Sequence, residues 1–187
     1  MESSAKKRIM YLSGEDYYYF TYSILLILKG LGCKDGKFFK DYRKLPFLIE
    51  ILNDDGLLFI LERYTSPDDL NGDLEASVAR KLNVIDHEHL FRSYTTGMAR
   101  RSEILKLLFT LEKSGYVTLR KGDHELEIDV ALNFPSVPKE FFKSNVFFRE
   151  VENIKLLKKL VKRLSVLTFS TMIEKIYSKN GVRTWAL

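Results

Sequence analysis

The chain has 187 residues, of which 45% are hydrophobic, 29% charged and 13% aromatic, with one cysteine and a formal net charge of +5. This composition excludes an intrinsically disordered chain, which needs low hydrophobicity, and a disulfide scaffold, which needs paired cysteines. It also excludes an inserted helical membrane protein: the longest apolar run, Tyr17–Leu28, is about a dozen residues long, where a spanning helix takes about 20.

The polar opening Met1-Glu-Ser-Ser-Ala-Lys-Lys-Arg has no apolar signal core, so a cytoplasmic location is expected. A lone Cys33 fits a reducing compartment, as an inert small hydrophobe. The length suits one domain or two compact ones. Phe20, Ile24, Leu25, Ile27, Leu28 and Leu31 recur at helical spacing and predict a buried helix over about 17–30, stopped by Gly30 and Gly32. A second helix is expected over about 37–53, facing inward through Phe38, Tyr42, Leu45, Leu48, Ile49 and Leu52 and kinked or divided at Pro46. Leu57–Tyr64 reads as helix. Ser66-Pro67-Asp68-Asp69 opens another that runs through Leu70–Leu82, broken at Asn71-Gly72, and Val84–Tyr94 reads as a short one.

From Ser102 to Leu132 the pattern is a helix with a glycine stop and a hairpin. Ser102 is the expected N-cap. Ile104, Leu105, Leu108, Phe109 and Leu111 form the apolar stripe, and Ser114-Gly115 ends the helix. Tyr116–Arg120 and the alternating run Leu126–Leu132 read as strands about a turn at Lys121-Gly122-Asp123. Pro135 and Pro138 bound a connector, Glu152–Leu167 reads as a basic amphipathic helix, and Phe169–Tyr177 as a last short one. The expected class is therefore α+β, mostly helical, with a winged-helix-like unit in the second half. The expected organisation is an N-terminal helical region at 1–98, the winged-helix-like helix and hairpin at 99–135, and a basic C-terminal helical region at 136–187.

Charge is unevenly spread. Residues 149–187 hold nine Lys/Arg against three acids, a surplus of six, which leaves the preceding 148 residues at about −1. Lys155, Lys158, Lys159, Lys162 and Arg163, three and four apart, share one face of the expected helix and are the candidate contacts to nucleic-acid phosphates; a merely solvated face is the alternative. The helix before the hairpin turns Glu103, Lys106, Thr110 and Lys113 outward, a mixed set, with Arg100 and Arg101 just before it in reach of phosphate; the hairpin carries Arg120 and Lys121 but also Asp123, Glu125, Glu127 and Asp129, which repel phosphate, and this favours protein contacts over base reading. In Asp86-His87-Glu88-His89 the histidines are two apart and diverge on a helix, and no Cys pair completes a metal site. No phosphate-binding glycine loop, dinucleotide fingerprint or nucleophile elbow occurs, so no catalytic residue, cofactor or metal site is assigned.

Tyr22-Ser-Ile-Leu-Leu-Ile-Leu-Lys, followed by Gly36-Lys-Phe-Phe-Lys-Asp-Tyr-Arg-Lys-Leu-Pro-Phe-Leu-Ile-Glu, resembles the small middle component of three-component ABC systems, the Lamassu-type defence operons. Phe39-Lys-Asp-Tyr-Arg-Lys-Leu between two apolar helices carries the likeness. The resemblance implies a non-catalytic accessory subunit, with no catalytic residue to carry over. It also implies two partners, an SMC-like coiled-coil ATPase that senses foreign DNA of phage or plasmid and an effector subunit, often a nuclease. A stand-alone winged-helix transcriptional regulator is the alternative reading, and a small enzyme with a spatially assembled site is a third.

Overall fold

The computed structural model describes residues 17–64, 82–124, 126–138, 140–143 and 145–185. Among them the helices are α1 over 17–30, α2 Leu45–Asn53, α3 Asp55–Tyr64, α4 Val84–Ala99, α5 Arg101–Lys113, α6 Phe148–Leu160 and α7 Phe169–Ile176. Strands β1 Val117–Lys121 and β2 Ile128–Leu132 pair antiparallel, with Val117 opposite Leu132 and Lys121 opposite Ile128. The chain is mostly helical with a small sheet, the expected α+β class. No helix among the described residues is long and apolar enough to cross a membrane.

The core is organised around α2, which is apolar on nearly every side. Leu45, Pro46, Phe47, Leu48, Ile49, Ile51 and Leu52 are all buried, as befits a helix surrounded by others. Pro46 does not kink it. It sits in the first turn, where its missing N–H donor is not needed, and the expected helix over 37–53 begins only at Leu45. α4 lies along α2, and Gly97 makes the approach possible: a Cβ there would stand 2.6 Å from the Phe47 ring. α3 and α6 also pack on α2. One connected cluster of buried side chains runs from Phe20 to Val182 and draws on all three expected regions.

Several elements differ from the sequence reading. Gly30 is the last residue of α1, at the expected end, and Ile154 of α6 comes so close there that a Cβ would stand 2.5 Å from Ile154 Cγ2. Gly32 makes the stop, with φ of 73° and the N–H groups of Gly32 and Cys33 closing on the carbonyls of Lys29 and Leu28. α4 runs to Ala99, five residues past the expected end. The break before α5 is a single residue, Arg100, so Ser102 lies inside α5 and is not its N-cap. Phe109 is half exposed at 51%, while Leu107 takes the inward place. The helix expected from Ser66 falls almost wholly in 65–81, outside the described residues.

The α5–hairpin junction follows expectation. Gly115 has φ of 78°, and the N–H groups of Gly115 and Tyr116 bond to the carbonyls of Glu112 and Leu111, which turns the chain into β1. The far edge of the hairpin is covered as well: Phe39 exchanges both backbone hydrogen bonds with Val130, at 2.8 and 2.9 Å, so the chain before α2 bridges to β2 at this one pair.

Candidate nucleic-acid interface

The expected basic helix is divided. α6 carries Lys155, Lys158 and Lys159 on its exposed side and buries Ile154 and Leu157. It ends at Leu160. Val161 is extended, and Lys162 and Arg163 lie in the following turn, Arg163 with φ of 59°. Lys162 and Arg163 are exposed but do not share the helical face. Lys155 pairs with Glu152 at 2.6 Å. Among the described residues Lys158, Lys159, Lys162 and Arg163 have no carboxylate within ion-pair distance. Glu152, Lys155, Leu156, Lys158 and Lys159 line a shallow groove of about 470 Å³ whose floor is mainly apolar.

The segment Phe39–Lys44 holds the turn that follows α6. Lys44 is fully buried, and its Nζ donates to the carbonyls of Leu164 at 2.8 Å, Leu167 at 2.7 Å and Ser165 at 3.4 Å, while lying 4.3 Å from the centroid of the Phe39 ring. The Lys40 N–H donates to the Ser165 carbonyl. Lys44 thus supplies the donor for carbonyls of the turn that follows α6. Burial pulls the Lys44 ammonium down to about 7, against the pull of Asp41, Cys33, Asp129 and Glu127. The Cys33 thiol is pushed up to about 11 by burial, so it is an inert thiol at neutral pH.

The same segment holds two buried carboxylates. Asp41, with φ of 62°, takes both ends of the Arg43 guanidinium, at 2.6 Å from Nη2 and 2.9 Å from Nε. Its N–H donates to Asp129 on β2, which also accepts from Arg120 at 2.9 Å. Asp129 reads in sequence as the polar, outward side of an alternating strand. It is 4% exposed because the Phe39–Asp41 stub covers it. Lys44 was hidden in another way: it reads as part of a helix, although its spacing to Leu48 and Ile51 already places it on an apolar row. In this cluster every carboxylate has a cation or N–H donor and the ammonium has three carbonyls, so the arrangement braces the hairpin against α2 and the turn after α6.

The acid–histidine cluster opens α4 and disperses as its spacing predicts. Asp86 accepts from Tyr64 and Asn83, His87 Nε2 meets the Gly181 carbonyl at 3.1 Å, and His89 Nε2 meets Asp54 at 2.6 Å. The two histidines thereby tie α4 to different parts of the chain. Arg149 pairs with Asp55, and Lys175, Lys179 and Arg183 lie on α7 and beyond, where Trp185 packs at a tilt against Phe91 and its backbone bonds to the Tyr94 hydroxyl. The surplus charge is thus shared between the α6 ridge and the α7 side.

Comparison with protein-family models, with curated proteins and with solved structures finds no significant match to this chain.

Proposed function

We propose that this chain is a non-catalytic accessory subunit of an SMC-like ATPase complex that senses foreign DNA and controls an effector, and that the α6 ridge contributes phosphate contacts to that complex. The observation that carries the phosphate contacts is a group of exposed cations on α6 and the turn after it, and the accessory role rests on the resemblance stated above. Lys40, Arg43, Arg100, Arg120 and Arg149 are matched to Asp123, Asp41, Glu50, Asp129 and Asp55, whereas Lys158, Lys159, Lys162 and Arg163 stand exposed with no carboxylate among the described residues. Unmatched cations on α6 and in the turn after it attract a polyanion, and phosphate contacts of this kind position a duplex without reading it.

The architectural part of the proposal is a winged-helix-like unit formed by α5 and the hairpin. Its support is the direct passage from α5 through Gly115 into β1, together with the Phe39–Val130 bridge that ties an early segment to the far side of β2. Base reading by α5 has less support. Its exposed residues are Ser102, Glu103, Lys106, Phe109, Thr110, Glu112 and Lys113, and a half-exposed phenylalanine amid mixed charge suits a protein surface better than a groove of DNA.

The test is co-expression with neighbouring gene products that carry a phosphate-binding loop and long heptad repeats. Co-elution with such an ATPase is expected. Replacing Lys158, Lys159 and Lys162 by Glu should weaken DNA binding of the assembled complex equally for all sequences, with assembly intact. A chain that never associates with an ATPase, and that alone binds one palindromic site as a dimer, is a transcriptional regulator instead.

A further inference from the structure

The ridge does not end with α6. At the Gly30–Ile154 crossing, the end of α1 and the turn after it lie against α6, and they bring two more lysines. Lys29 Nζ lies 4.1 Å from the centroid of the Phe142 ring, and Lys34 Nζ lies 4.7 Å from that of Phe134. The two rings stack on each other at 5.5 Å with an interplanar angle of 14°. The result is a four-layer array in which two stacked phenylalanines each carry an ammonium. Backbone bonds fix its base: Lys34 bridges to Leu132, and the Leu132 N–H donates to the Cys33 carbonyl.

Lys29 and Lys34 stand close enough to act on each other. Burial and then the charge of Lys34 lower the affinity of Lys29 for its proton. Lys158 is near enough to act on the thiol of Cys33, next to Lys34 in the chain. The opposing charge is small: exposed Asp35 lies 3.8 Å from Lys34, Glu152 is engaged by Lys155, and Lys29 has no carboxylate partner among the described residues. Like charges held together in this way repel, and a ligand bearing regularly spaced negative charge relieves the repulsion.

We propose that Lys29 and Lys34 join Lys158 and Lys159 in one saddle for the phosphate backbone of nucleic acid, α1 and α6 contributing from the two sides of the Gly30–Ile154 crossing. This rests on the reading of α6 given above and enlarges it to a second element that carries none of the C-terminal charge surplus. The saddle contacts phosphate and not base edges, so binding through it is blind to sequence.

The experiment uses the full chain and a labelled 20-base-pair duplex, with binding followed by anisotropy from low to physiological salt. Three double variants are compared: Lys29→Gln with Lys34→Gln, Lys158→Gln with Lys159→Gln, and, on the α7 side, Lys175→Gln with Lys179→Gln. Thermal melts check that each remains folded. The first two pairs should each lower the log–log salt slope by about 1.8 and weaken binding on the order of tenfold, since each duplex phosphate contact carries a slope of about 0.9. The third pair should bind as the parent does. If only the Lys158 and Lys159 pair weakens binding, the saddle is wrong and the α6 ridge stands. If neither pair does, both are wrong. If poly-glutamate competes with the duplex at equal charge, and its binding falls with the first pair, the saddle takes an acidic protein, which overturns the assignment to nucleic acid.

Discussion

The Lys44 ammonium crosses 120 positions of sequence to bond the Leu164 carbonyl at 2.8 Å, and that contact moors the turn that follows α6. Without it the Leu164 and Leu167 carbonyls lose their donor from this side chain, while the Ser165 carbonyl keeps the Lys40 N–H. Lys44→Met is expected to cost about 3 kcal/mol, since a buried polar group left unpaired costs roughly 1–3 kcal/mol and two are affected. Urea denaturation measures the loss. Amide exchange checks its location, because protection in 161–168 should fall further than in α2. A variant of unchanged stability would refute the mooring role.

Stability should depend on pH in a way these two buried groups determine. Lys44 is held down to about 7 in the fold against 10.5 ordinarily, so above pH 7 the unfolded chain binds more protons than the native one, and stability rises with pH. Cys33 runs the other way. Its native thiol is raised to about 11 from 9.0, so its contribution is complete below pH 9 and is lost as the pH climbs through 11. Denaturation at fixed salt should therefore show stability increasing from pH 7 to 9 and levelling above that. In Lys44→Met the increase should vanish.

Gly97→Ala tests the α2–α4 contact. The added methyl would meet the Phe47 ring at 2.6–2.9 Å, and Phe47 is itself wedged among Tyr94, Phe169 and Tyr177, so it has no room to turn aside. Overpacking of this kind costs about 1–3 kcal/mol. The same change in an exposed helix would stabilise, so the sign of the melting shift decides the matter.

Leu108 and Phe109 are neighbours with opposite fates. Leu108 is fully buried in α5, and Leu108→Ala should cost about 2–5 kcal/mol. Phe109 is half exposed, and Phe109→Ala should change stability by no more than about 0.5 kcal/mol while lowering any affinity for a protein partner that docks on α5. Equal destabilisation by both substitutions would return Phe109 to the core.

Where one neighbour or one backbone conformation decides an element, the sequence reads well. Gly115 after the α5 stripe predicts the turn into β1, because the left-handed conformation it needs is a local property. Alternation predicts β2, and the spacing of Ile154 and Leu157 predicts the buried side of α6. The basic character of α6 is equally legible, since charge is counted without coordinates. What escaped depends on residues far apart in the chain. Gly30 reads as a helix end and is also a close approach to Ile154; Asp129 reads as an outward strand residue and is covered by Phe39–Asp41; Lys162 and Arg163 read as helical and lie in a turn whose carbonyls Lys44 holds. Local periodicity determines which side of an element is apolar, whereas the partner that covers it, and the buried charge that moors the turn after a helix, are chosen only when distant segments compete for the same carbonyls and the same core.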